Sequence, residues 1–126
     1  MIKTWISIGL ASLCTLPLSA ADLNGNWNLN GDLAGQPVAA VCTLKQDASK
    51  LTGICKGESG GTPLTGEISG KKITFTYERD HEGSHYTMDF SGTLETETSM
   101  KGTIDVSVAE RDGSSFMTGE FTAKKQ

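Results

Sequence analysis

The sequence predicts an all-β fold, an eight-stranded antiparallel up-and-down (meander) β-barrel held by one disulfide. Three observations lead there. A pentad of apolar, polar, Gly, polar and apolar residues recurs at Leu51–Cys55, Leu64–Ile68, Phe90–Leu94, Met100–Ile104 and Met117–Phe121. Alternate residues of a strand share a face, so each central glycine lies on the face of its two apolar flanks. Such a glycine weakens a strand and packs nothing, and it is favoured where a strand must bend sharply to close a small barrel. Polar, glycine-rich gaps separate the apolar runs at hairpin spacing, and no segment after residue 21 carries a helical period.

The first residues read as an address. Met1-Ile-Lys3 is a basic start, Trp5 to Leu18 is mostly apolar, and Ser19-Ala20-Ala21 supplies the small residues of a cleavage site, so residues 1–21 are expected to be a signal peptide removed before Asp22. Its apolar run is short for a bilayer span, and a membrane-spanning protein is not expected. Leu13 before Cys14 argues against lipid attachment there. Residues 22–126 then form a single barrel domain, large enough for one core. The chain carries 11 basic and 15 acidic residues, and losing Lys3 leaves 10 against 15. Scattered acidic residues favour solubility and exclude nucleic acid as the expected partner. Cys42 and Cys55 remain in a chain directed to an oxidising compartment, periplasmic or secreted, and are expected to pair.

Each hairpin has an expected register. A first turn at Gly35-Gln36 sets Leu33 against Val38, Leu29 against Cys42 and Trp27 against Leu44. The next, Asp47 to Lys50, sets Leu44 against Gly53 and Cys42 against Cys55, a directly opposed pair that a disulfide can bridge. Gly57 to Thr62 turns Cys55 onto Leu64. Gly70-Lys71, a type II′ pair, brings Ile68 onto Ile73 and Gly66 onto Phe75. A turn at His81-Glu82 opposes Tyr77 to Tyr86, Phe75 to Met88 and Ile73 to Phe90. Thr96 to Thr98 opposes Leu94 to Met100 and Gly92 to Gly102, and Glu110 to Gly113 opposes Val106 to Met117 and Gly102 to Phe121. All seven turns preserve one apolar face. Closure of the meander removes both edges and buries that face.

Gly25-Asn-Trp27 on the first strand, followed by this meander, resembles the opening of lipocalin-type barrels, the calycin group that includes avidins and fatty-acid-binding proteins. Gly119-Glu-Phe121-Thr-Ala123-Lys124 resembles the last strand of small secreted bacterial lipocalin-like domains. The resemblance implies a ligand in the barrel mouth and Trp27 packed across the closed end. Avidin's additional tryptophans are missing, so biotin is not implied. Asp22-Leu-Asn-Gly-Asn-Trp27 also resembles the start of secreted barrel inhibitors of bacterial metalloproteases, which implies a protein partner.

The inward face offers Trp27, Phe75, Tyr77, Tyr86, Met88, Phe90, Met100 and Met117 as candidate lumen residues for a small hydrophobic molecule, with the tyrosine hydroxyls near one mouth. The same side chains can instead fill the interior. Metal-ligand chemistry gathers at Asp80-His81-Glu82-Gly-Ser-His85 with Glu78 opposite, where His81 and His85 are the candidate ligands. Polar residues belong at a turn anyway, so no metal or other cofactor is expected. No nucleophile elbow is present, and outward carboxylates such as Glu67, Asp89 and Asp105 suit a solvated sheet face. Lys56-Gly-Glu-Ser-Gly-Gly-Thr62 joins strand to strand and lacks the helix a phosphate cradle needs.

The expectation is therefore an exported, non-enzymatic barrel that holds a small apolar ligand. The alternative is a barrel that binds an extracellular or periplasmic protein through the tips at Gly57 to Pro63 and Arg79 to His85.

Overall fold

A computed structural model describes residues 22–57 and 60–126; the expected signal peptide lies outside them. Eight strands follow in chain order: β1 (Gly25–Leu33), β2 (Gln36–Asp47), β3 (Lys50–Gly57), β4 (Gly60–Ser69), β5 (Lys72–His81), β6 (Ser84–Thr96), β7 (Ser99–Glu110) and β8 (Gly113–Lys125). Each pairs antiparallel with the next, and β8 pairs with β1 to close the barrel. No helix occurs among the described residues.

The ladders fix the barrel's geometry. A path from Gly25 through Leu44, Gly53, Leu64, Tyr77, Met88, Val106 and Met117 returns to β1 level with Gly35, two positions past the Leu33–Gly119 pair. The strands thus close with a stagger of ten residues, from 25 to 35. Closure of eight staggered strands implies a tilt of roughly 40° and an interior about wide enough for side chains to fill.

Inward glycines permit that closure. A Cβ on Gly102 would lie 1.9 Å from the Ser91 carbonyl oxygen and 2.5 Å from the Gly92 Cα, and one on Gly66 would lie 2.1 Å from the Thr74 oxygen. Here neighbouring backbone occupies the space a side chain would need. Phe75 stands opposite Gly66 as the pattern predicts, its Cβ 2.6 Å from where a Gly66 Cβ would sit. The aromatic covers the gap.

Four registers match expectation: β2 with β3, β4 with β5, β6 with β7 and β7 with β8. Three hairpins pair two positions away from expectation, β1 with β2 and β3 with β4 tighter and β5 with β6 wider. In the first, Leu33 meets Gln36, Leu29 meets Ala40 and Trp27 meets Cys42. The cause is the turn type: Ala34 (φ 52) and Gly35 (φ 85) are its central residues, and two positive φ values make a type I′ turn, with glycine at the second place rather than the first. The Gly35 N–H donates to Asp32 Oδ1 at 2.8 Å. Glu82 (φ 50) and Gly83 (φ 83) repeat the device, so His81 meets Ser84, Tyr77 meets Met88, Phe75 meets Phe90 and Ile73 meets Gly92. Between β3 and β4 the ladder continues to Gly57 and Gly60, which puts Thr62 opposite Cys55 and Leu64 opposite Gly53. Pro63, expected in a loop tip, is in strand opposite Ile54. Every shift is by two, so each side chain keeps its face.

Cys42 and Cys55 are directly opposed and disulfide-bonded, with Cα atoms 3.9 Å apart. Trp27 stands level with Cys42. It is 1% exposed, and its indole N–H donates to the Leu23 carbonyl at 2.9 Å, which satisfies the one polar atom the ring buries. The Leu23 N–H donates to Gln46 Oε1, and the Gln46 N–H to Asn24 Oδ1, each at 3.0 Å. This segment plugs one end of the barrel. There the turn carbonyls of Ser49, Lys71 and Thr98 accept from the backbone N–H of Ile68, Leu94 and Lys125, each at 2.8 Å. The outer wall is polar, with Val41, Ile54 and Phe116 as the large hydrophobics exposed on it, and no helix is long and apolar enough to cross a membrane among the described residues.

Gly102→Val is expected to cost about 3 kcal/mol or more, because backbone must move to admit the side chain. Gly57→Ala should cost little, since its Cβ would meet only the Ala39 oxygen at an ordinary 3.5 Å. Urea denaturation of both variants checks the contrast. The double variant Cys42→Ala/Cys55→Ala, which frees a loop with a sequence separation of 13, should lose about 3 kcal/mol by the chain-entropy estimate, read from the same experiment.

Candidate functional site

The barrel interior changes character along its axis. At mid-height Phe75 and Phe90 stack with ring centroids 4.6 Å apart, Phe121 meets Phe90 edge-on at 5.2 Å, and Tyr77 tilts over Phe90 at 5.5 Å. All four are buried. Gly92 makes room for this layer, since a Cβ there would meet Phe121 Cζ at 2.9 Å. Below it Leu51, Ile73, Met100 and Trp27 pack against Leu23 at the plugged end, all at most 1% exposed.

Above the aromatic layer the barrel opens. A cavity of about 540 Å³ lies at this mouth, lined by Leu33, Val38, Ala40, Thr62, Tyr77, Arg79, His81, Tyr86, Met88, Val106 and Met117, together with Pro37, Ala39, Cys55, Gly57 and Gly60. Val38, Ala40, Tyr86 and Met117 are only partly buried. The volume lies in the range of small-molecule sites, and the lining is mixed, with nearly as much polar as apolar surface. The hairpins at Ala34-Gly35 and Glu82-Gly83 stand at this end, each a short turn on the rim.

Polarity within the mouth is one-sided. Apolar lining comes from β1, β2, β7 and β8 as Leu33, Val38, Ala40, Val106 and Met117. Polar groups come from β4, β5 and β6 as Thr62, Tyr77, Arg79, His81 and Tyr86. Arg79 pairs with Tyr86 across the ladder, and the His81 and Tyr86 rings meet edge-on at 6.5 Å. Burial pushes the Tyr77 phenol above its ordinary pKa, and the Arg79 charge partly opposes that rise. The hydroxyl therefore stays a neutral donor at physiological pH.

Of the eight candidate lumen residues, the structure brings Tyr77, Tyr86, Met88 and Met117 together at the mouth. Phe75 and Phe90 belong to the aromatic layer, and Trp27 and Met100 lie in the packed half. Val38, Thr62 and Arg79 were not among the candidates, although the alternation Ile73, Phe75, Tyr77, Arg79 already places Arg79 inward.

The two histidines do not share a face. His81 has inward parity and lines the mouth, whereas His85 lies on the outer wall. His85 Nε2 is 2.8 Å from Glu78 Oε1 and its Nδ1 is 2.7 Å from Asp80 Oδ1. Both ring nitrogens thus meet carboxylates, an arrangement for imidazolium with both N–H groups donating. Among the described residues no group of three or more His, Cys, Asp or Glu side chains is arranged to hold a metal. Another concavity, about 620 Å³, lies along β1, β7 and β8 and is lined by outward residues including Asn30, Asp32, Lys101, Thr103 and Glu120. Its charges are mixed in sign and do not converge.

A solved structure shares this architecture. EF1p2_mFAP2b bound to DFHBI has the same fold. The match has a TM-score of 0.62 at 12% identity and covers 82% of this chain and 94% of that one. At that identity the likeness concerns the fold, an eight-stranded calycin-like barrel. No protein-family profile and no curated protein matches the sequence.

Hydrogen bonds from Glu78 and then Asp80 hold His85 above its ordinary pKa. A raised folded-state value stabilises the fold at low pH, and the contribution disappears as pH rises through that value. Compared with His85→Asn, the native chain should therefore unfold at a higher temperature at about pH 6, and the difference should vanish by about pH 8.5. Paired thermal melts across that window test it, and a pH-independent difference would refute the ion-paired imidazolium.

Proposed function

We propose that this protein is an exported, non-enzymatic binding protein that holds a small, largely apolar molecule in the mouth of its barrel. The observation that carries the reading is the cavity of about 540 Å³ above the Phe75, Phe90 and Phe121 layer. A rigid apolar floor and half-exposed walls give a ligand surface to cover without requiring the core to open. The likeness in fold to a barrel bound to DFHBI supports the reading.

Export is supported by residues 1–21, with their basic start, apolar run and Ser19-Ala20-Ala21 end. The Cys42–Cys55 bridge suits the oxidising compartment that such a leader addresses. A binding role is supported by what surrounds the cavity. Among the described residues its lining offers hydroxyl donors and a guanidinium but no nucleophile paired with a base. Among the described residues the rim hairpins at Ala34-Gly35 and Glu82-Gly83 are short, which favours the cavity over a loop surface as the site.

Native mass spectrometry of protein purified gently from its exporting host is expected to show a stoichiometric added mass that disappears on denaturation. Met117→Trp should abolish it while leaving the fold intact, because Met117 is partly buried at the rim and the indole would extend into the cavity. A bare chain mass, short two hydrogens for the disulfide, would overturn the reading.

A further inference from the structure

We infer that Tyr77 selects the ligand through one hydrogen bond: the molecule held in the mouth has an apolar, ring-sized body and carries a carbonyl-type oxygen at its inner end, which accepts from the Tyr77 hydroxyl. The inference rests on the mouth being the binding site and adds the chemistry of its ligand.

Tyr77 is the deepest hydroxyl of the lining. Inward residues of β5 run from buried Ile73 and Phe75 through Tyr77 to half-buried Arg79 and then to exposed His81 at the turn. Tyr77 is the last buried member of that row, 6% exposed, with its ring tilted over Phe90 at 5.5 Å. Of the other hydroxyl-bearing side chains that line the cavity among the described residues, Thr62 and Tyr86 are both only half-buried.

The protein supplies this hydroxyl with no acceptor. Its ladder neighbours are Leu64 and Met88, whose side chains offer at best a weak one. Among the described residues the Tyr77 hydroxyl makes no hydrogen bond, and no enclosed side-chain nitrogen or oxygen is left without a partner. The hydroxyl is therefore not enclosed, and it opens on the cavity that its ring lines. Trp27 at the plugged end is the contrast, since its buried N–H meets the Leu23 carbonyl inside the protein.

Solvent in an open mouth can serve the phenol. An apolar body that enters displaces that solvent, and a ligand without an acceptor at this depth leaves a buried donor unpaired. A ligand with an oxygen there avoids the loss, and a site built to hydrogen-bond one group discriminates against the analogue that lacks it. Burial keeps the phenol protonated, with the Arg79 charge only partly opposing, so Tyr77 acts as the donor of the pair.

Two uncharged probes of one shape test this: fluorenone, with a carbonyl, and fluorene, with a methylene in its place, each measured by equilibrium dialysis against the oxidised, folded protein. Tyr77→Phe removes the hydroxyl and keeps the ring over Phe90, and near-ultraviolet circular dichroism confirms that the variant is folded. The ratio of fluorenone to fluorene affinity is expected to fall about tenfold from the native chain to Tyr77→Phe, the effect of one hydrogen bond. Comparing the two ratios cancels the unequal hydration of the probes. The infrared carbonyl stretch of bound fluorenone should lie lower in the native protein than in Tyr77→Phe, a signature that altered packing alone would not produce. A ratio unchanged in Tyr77→Phe, or a stretch at the same frequency in both proteins, would overturn the role of Tyr77 while leaving the mouth as a binding site. Failure of both probes to bind, or binding unaffected by Met117→Trp, would overturn the mouth reading together with this one.

Discussion

The barrel depends on places where backbone approaches backbone so closely that a side chain has no room. At Gly53, Gly66, Gly102 and Gly119 a Cβ would fall within about 2.1 Å of a carbonyl oxygen on the neighbouring strand. These positions are spread around the wall, on β3, β4, β7 and β8. Together they let a sheet only eight strands wide curl until β8 reaches β1. Closure then satisfies the ladder hydrogen bonds that an open sheet would leave at its edges and hides one continuous apolar face. The disulfide, the Trp27 plug and the aromatic layer all presuppose that curl.

Closure also divides the interior. The inward glycines leave volume that larger neighbours fill, and three phenylalanines use it at mid-height. An edge-on and a stacked contact within one cluster satisfy the preferred geometries of aromatic pairs. Packing there separates stability from recognition. The plugged half, with Trp27 hydrogen-bonded to Leu23, carries the dense core, whereas the mouth keeps side chains such as Val38 and Met117 only partly covered. A cup on a filled base is thus a rigid site whose wall can vary without touching the elements that hold the barrel closed.

Parity was the part of this structure most legible in the sequence. The alternation of Ile73, Phe75 and Tyr77, or of Met100, Ile104 and Val106, sets which side chains face inward, and no hairpin in the structure reverses it. Depth was less legible. It depends on register, and the type I′ turns centre on Ala34-Gly35 and Glu82-Gly83 rather than on the expected Gly35-Gln36 and His81-Glu82, which moves the pairing of each hairpin by two residues. A two-residue shift preserves the face but changes the neighbour, so Tyr77 meets Met88 while Tyr86 meets Arg79. Depth also depends on the stagger accumulated around all eight strands, which no single hairpin reveals. For that reason Trp27 and Met100, inward like the rest, lie far from the mouth, while Arg79 lies in it.

Charge placement follows from the same alternation. On β5, Glu78 and Asp80 are turned outward and engaged with His85, while Arg79 is turned inward, where its charge bears on Tyr77. One strand thereby presents opposite charges on its two faces, acidic to solvent and basic to the interior, by nothing more than the two-residue period of a β-strand.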